Sequence, residues 1–176
     1  MGALVKTEQP DPAAPRDEAQ YLTFVLGEEM FAMDILGIKE IIQYGHVTGV
    51  PMMPTFVRGV INLRGAVVPV VDLAARFGRP VAKVTRRSCI VILETRSEQG
   101  AQDVGVLVDA VSAVLTIPAA EIEPPPSFGG GIRADFIGGM AKVEGRFVIV
   151  LNVDRVLSVE EMALLSRGGD PGEAAS

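Results

Sequence analysis

The stretch GVINLRGAVVPVVDL, residues 59–73, returns later in the chain without a gap as GMAKVEGRFVIVLNV, residues 139–153. Each copy starts on a glycine and meets a two-residue turn, Arg64-Gly65 or Glu144-Gly145. It then comes back as an apolar run ending at Asp72 or Asn152. Two apolar runs around a Gly turn predict a β-hairpin. A second pair recurs in the same order, FAMDILGIKEI (31–41) over VGVLVDAVSAV (104–114). Two similar halves follow, and short strands punctuated by Gly turns favour barrels or sandwiches. The fold expected is mainly β, as two tandem five-stranded barrels rather than one large sheet.

Outward from these repeats, Tyr21 to Leu26 and Met30 to Asp34 read as strands around the turn Gly27-Glu28-Glu29. Ile35, Ile38, Ile41 and Ile42 come next at helical spacing, which fits a short amphipathic helix or a bent extension of the strand. Gly45, Gly49, Pro51 and Pro54 mark a loop. Asp72 opens a short helix through Phe77, ended by Gly78 and Pro80. Cys89 to Leu93 and Val104 to Val108 are expected as strands around a polar loop. Leu157 to Leu165 is expected as a closing helix, with Val159, Met162 and Leu165 on its apolar face. Residues 1–19 and 167–176, rich in Pro, Gly, Ala and acids, read as disordered tails around one folded unit, 20–166.

Composition narrows the function. Apolar residues make up 48% of the 176 and charged residues 22%, which is globular. A net charge of −6 argues against a nucleic-acid binder, because phosphate contacts need a basic surface. A single cysteine, Cys89, allows no internal disulfide and fits a reducing compartment. The N-terminus lacks the apolar core of a signal peptide, and no stretch of about 18 uncharged apolar residues occurs. The expectation is a cytoplasmic chain with no direct membrane insertion.

The means of catalysis are thin. One histidine, His46, sits in the turn-like YGHVTG, and one His with one Cys builds neither a general-base pair nor a metal site. Gly129 to Gly131 comes after prolines and lacks the Lys-Ser/Thr of a phosphate-binding loop, so it reads as a connector. Asp34, Asp72 and Asp109 each follow an apolar strand. They are read as helix N-caps in preference to an acid/base pair. No enzyme, cofactor or metal is expected. Arg76, Arg79, Lys83, Arg86 and Arg87 form a basic segment, read as a solvated loop with an acidic partner as the lesser alternative.

The runs YLTFVLGEEMFAMDI (21–35), GVINLRGAVVPVVDL (59–73) and VLVDAVSAVL (106–115), with SVEEMALL (158–165), resemble in order the CheW family, the coupling proteins of bacterial chemotaxis. The resemblance implies two SH3-like barrel subdomains with short helices and a C-terminal helix, and no cofactor or reaction. The partners it implies are the cytoplasmic hairpin tip of chemoreceptors, the CheW-like regulatory domain of the histidine kinase CheA, and other copies in rings. A coupling protein of a non-flagellar chemosensory pathway fits the same residues, whereas a small-molecule-binding barrel is disfavoured.

The resemblance also singles out residues. Arg64 matches the arginine of the family's Asn-Leu-Arg-Gly motif, which begins at Asn62, and Glu40 matches an acidic position near it. The two are expected to pair at the edge of a groove between the barrels. Ile35, Ile38, Val111 and Val114 match apolar positions beside that groove, with core packing as the alternative, held equally for the valines. Gly59 is expected to allow close backbone approach at the start of its strand.

Overall fold

The computed structural model of the chain describes residues 18–97, 100–125 and 134–158. Its strands are β1 (Glu18–Leu26), β2 (Glu29–Asp34), β3 (Ile38–Gln43), β4 (Val57–Leu63), β5 (Ala66–Asp72), β6 (Cys89–Ser97), β7 (Gly100–Val108), β8 (Ala110–Pro118), β9 (Ile122–Glu123), β10 (Ile137–Val143) and β11 (Arg146–Leu151). Two one-turn helices, α1 (Leu73–Arg76) and α2 (Val153–Val156), come after β5 and β11. The repeated segments are the hairpins β4–β5 and β10–β11. Both turns place a non-glycine and then a glycine at positive φ, 53° and 86° at Arg64-Gly65, 51° and 81° at Glu144-Gly145. That is the twist matching a right-handed two-stranded ribbon.

Two SH3-like barrels form, one sheet of six strands in the order β8-β1-β2-β11-β10-β9 and one of five in the order β3-β6-β7-β5-β4. They are not successive halves of the chain, which corrects the tandem expectation. The hairpin β1–β2 joins the C-terminal strands, and β3, β4 and β5 join the hairpin β6–β7. The repeat holds across this exchange. Val70 pairs in parallel with Gly105, and its counterpart Val150 pairs in parallel with Ala32. Gly105 and Ala32 are themselves aligned in the repeat. The sixth strand, β9, is two residues long, and its counterpart is the single bridge of Thr48 to Val60.

Alternation explains why so many strand residues are apolar on both faces. Along β6, Val91 and Leu93 join a core shared by the two barrels, whereas Ile90 and Ile92 fill the five-stranded barrel. Along β11, Leu151 joins the shared core, whereas Val148 and Val150 fill the six-stranded barrel. Phe24, Phe31, Phe77 and Phe136 cross the shared core as a chain of rings with centroids 5.9, 5.7 and 6.0 Å apart. Each such contact adds roughly 0.5–1.5 kcal/mol beyond area burial.

Arg76 ends α1 inside this core. Its guanidinium lies 5.0 Å from the Phe56 ring centre and 4.7 Å from that of Phe136, and Nε donates to the Val156 carbonyl at 2.8 Å. It ties the end of one repeat to the end of the other.

Several expectations are revised. Of the two alternatives left open for the isoleucine segment, the strand is the one that forms, after one 3-10 turn at Ile35–Gly37. β6 and β7 run on through the polar residues expected as a loop, as far as Ser97 and Gly100. Strands β8 and β9 come in addition to the expected set. β1 begins at Glu18, two residues inside the stretch expected as a tail. Asp34 and Asp72 do cap, accepting from Leu36 N and Ala75 N. No helical turn begins at Asp109; its carboxylate takes the Gly27 N–H at 2.7 Å, where the paired strands β1 and β8 end side by side. Beyond Ser158, the closing helix lies outside the described residues, as does the connector at Gly129 to Gly131.

Candidate functional site

Strands β3 and β8 hold equivalent places. β3 leaves the hairpin β1–β2 to flank β6, and β8 leaves the hairpin β6–β7 to flank β1. Each is an edge strand, and each carries a register shift, between Ile38 and Glu40 in one and opposite Thr23 and Phe24 in the other. On a regular strand, residues three apart face opposite ways. The extra residue, Lys39 or Ser112, cancels that. Ile38 and Ile41 thus lie opposite Leu93 and Val91, and Val111 and Val114 opposite Phe24 and Leu22. All four partners belong to the core shared by the barrels. Thr23 repairs the ladder at the second bulge, its hydroxyl donating to the Ala113 carbonyl at 3.0 Å and accepting from the Ala113 N–H at 3.1 Å.

The predicted apolar residues therefore separate into two kinds. Ile35, Ile38 and Val111 are partly buried and lean on the shared core. Val114 is 51% exposed. Ile41, absent from the expected site, is its counterpart and is 41% exposed. The aligned repeat sets Ile41 over Val114, so the signal is present in the sequence.

Glu40 points the other way. It lies opposite Ile92, whose side chain fills the five-stranded barrel, and so occupies the face of β3 opposite to Ile38 and Ile41. Arg64, at the tip of β4–β5, reaches it from the far edge of the same sheet, with Nη1 2.6 Å from Oε2 and Nη2 2.9 Å from Oε1. The expected pair forms, within one barrel and across its seam. The hydrogen bonds from Arg64, aided by its charge, hold the Glu40 carboxyl below its ordinary range, and the same contacts raise the Arg64 guanidinium. Asn62 Oδ1 accepts the Gly65 N–H at 3.0 Å and fixes the turn that aims Arg64. At the matching tip Glu144 stands in place of Arg64 and Ala113 in place of Glu40, so no such pair is possible there.

Gly59 sits where the segment after β3 crosses β4. Its φ is 148°, and a Cβ there would lie 2.1 Å from the Thr48 carbonyl oxygen. Thr48 and Val60 exchange hydrogen bonds of 2.9 and 2.8 Å beside it. The close approach is a requirement of the barrel seam itself.

His46 is exposed in an irregular loop. Among the described residues, no three His, Cys, Asp or Glu side chains gather where they could hold a metal ion, and no helix is long and apolar enough to cross a membrane.

The family model for the CheW-like domain matches residues 20–161. The chain is 35% identical over 146 residues to the chemotaxis protein CheW of Klebsiella aerogenes, covering 83% of this chain and 86% of that protein. It is 37% identical over 142 residues to the chemotaxis protein CheW of Rhizobium meliloti, covering 81% and 89%. The crystal structure of the scaffolding protein TtCheW from Thermoanaerobacter tengcongensis superposes with a TM-score of 0.72 at 32% identity, over 85% of this chain and 93% of that one. Matched through all but its ends, in sequence and in fold, the chain belongs to the CheW-like family.

Proposed function

We propose that this CheW-family chain is a non-enzymatic scaffold that couples chemoreceptors to the histidine kinase CheA, working in the cytoplasm beneath receptor arrays. The observation that carries the reading is the matched pair of bulged edge strands. Ile38 with Ile41, and Val111 with Val114, turn toward the seam between the barrels, each pair half sunk in the shared core and half open. A receptor helix buries anchors spaced three and four residues apart, and an apolar seam on a rigid double barrel suits it. Arg64 and Glu40 add a charged contact on the other face of β3, held in one geometry by Asn62 and fit to meet the kinase's regulatory domain. Neither contact needs to be strong by itself, because an array engages many at once.

Reconstitution tests this. Receptor fragment, CheA and the chain together are expected to raise kinase autophosphorylation above any pair of the three. Arg64→His is expected to lower that activation with the melting temperature nearly unchanged. Full activation by a folded Arg64→His variant would remove Arg64 from the coupling site, and absence of three-component activation would remove the function.

A further inference from the structure

The segment between α1 and β6 carries charge of one sign. Residues 73–88 contain Arg76, Arg79, Lys83, Arg86 and Arg87 and no acid, in a chain of net charge −6. Arg76 is consumed inside the core. Arg79, Lys83 and Arg87 line one groove of about 480 Å³, between the β1–β2 turn, Ala74 of α1 and the junction of β7 with β8. Its floor is apolar, with Leu26, Pro80, Ala82 and Ala110 among the lining residues.

The backbone presenting these cations is held in place. The buried Asp72 carboxylate accepts the Ala82 N–H at 2.9 Å, Ser88 Oγ accepts the Thr85 N–H at 2.8 Å, and Thr85 Oγ1 accepts the Arg87 N–H at 3.1 Å. Two charges in the groove are already matched. Arg79 pairs with Glu29 while lying over the Phe31 ring, and the Asp109 carboxylate is turned onto the Gly27 N–H. Among the described residues, neither the Lys83 ammonium nor the Arg87 guanidinium meets an acid. Val81 and Val84, 47% and 38% exposed, alternate with them along the same segment.

We propose that this groove docks an acidic peptide segment of a partner protein, one that carries an apolar side chain between its carboxylates. Charge complementarity identifies the occupant: carboxylates answer Lys83 and Arg87, and an apolar residue covers the floor at Leu26, Ala82 and Ala110. Two unmatched cations in the groove, on a chain of net negative charge, are too few for a nucleic-acid surface. None of Glu40, Arg64, Ile38, Ile41, Val111 or Val114 lines the groove, so it is a separate contact that does not rest on the coupling reading.

A short fluorescent peptide of Glu, Asp, Leu and Ser, titrated into the full chain and read by anisotropy, tests it. Binding is expected to weaken steeply as salt rises. Lys83→Glu with Arg87→Glu is expected to weaken it at least about tenfold, and Lys83→Gln with Arg87→Gln by less, both with an unchanged melting curve. Arg64→Ala is expected to leave it unchanged, and amide shifts are expected to cluster at Ala82 to Arg87. Equal binding of the same peptide with Gln and Asn for its acids would overturn the proposal. So would unchanged affinity in a folded double variant, or tighter binding of a single-stranded oligonucleotide. Glu160→Lys with Glu161→Lys in the full chain is expected to have no effect; a tenfold gain in peptide affinity would make the chain's own C-terminal acids the occupant and overturn the partner assignment.

Discussion

Glu40 and Arg64 stand at opposite edges of one five-stranded sheet, β3 and the tip of β4–β5, and two contacts of 2.6 and 2.9 Å join them. Rolling the sheet into a barrel brings its edges together, and the pair spans the seam where the ladder does not close. Nearby, Thr48 and Val60 bridge the same seam through their backbones. With Arg64 72% exposed, the pair contributes little to stability.

The Glu40 carboxyl should therefore titrate below an ordinary glutamate. Its folded value is depressed by Arg64, so whatever stability the pair adds is present above the unfolded-state value and is lost as pH falls through the lowered one. A carboxyl-detected NMR titration is expected to show this, and Arg64→Ala to return Glu40 to the ordinary range. A Glu40 midpoint indifferent to that substitution would mean the pair is not held in solution.

Gly59 and Gly139 are aligned glycines with unequal constraints. A Cβ at Gly59 meets backbone, 2.1 Å from Thr48 O, at a positive φ; a Cβ at Gly139 meets Ile122 Cγ2 at 2.4 Å and the Glu123 carbonyl oxygen only at 3.1 Å, without a positive φ. Gly59→Ala is expected to cost roughly 3 kcal/mol or more, and Gly139→Ala roughly 1–2 kcal/mol. Urea unfolding of the two variants decides it, and the reverse order would show that Thr48 yields more easily than its hydrogen bonds with Val60 imply.

Arg76 joins the two repeats through Phe56, Phe136 and the Val156 carbonyl. Arg76→Met keeps most of the volume but removes the donor and the charge over the rings. A loss of roughly 2–3 kcal/mol is expected, seen as a melting temperature lower by about 5–10 °C. Hydrogen exchange is expected to quicken first in α2, whose last turn the guanidinium holds.

Val111 and Val114 share a face yet differ in burial. Val111→Ala is expected to cost about 1 kcal/mol of stability, because it leans on the shared core. Val114→Ala is expected to cost under roughly 0.5 kcal/mol. Under the proposed function, Val114→Glu and Ile41→Glu lower receptor-fragment binding while the melting curve stays put. Unaltered binding in both would move the receptor contact elsewhere.

The sequence by itself determined the features that depend on neighbours along the chain. The glycines at 65 and 145 demand the two hairpin turns, and Asp34 and Asp72 cap the helical turns beginning at Ile35 and Leu73, since a turn or a cap is closed by residues a few positions apart. The aligned repeats even carried the pairing of Ile41 with Val114. Only the tertiary structure decided which sheet each strand enters. The parallel contacts β2–β11 and β5–β7 join segments far apart in the chain, and a run of valines reads the same whichever partner it meets. Strand β8 escaped for a related reason: its bulge breaks the alternation that marks a strand, and only its pairing with β1 on both sides of the bulge shows that the chain continues through it.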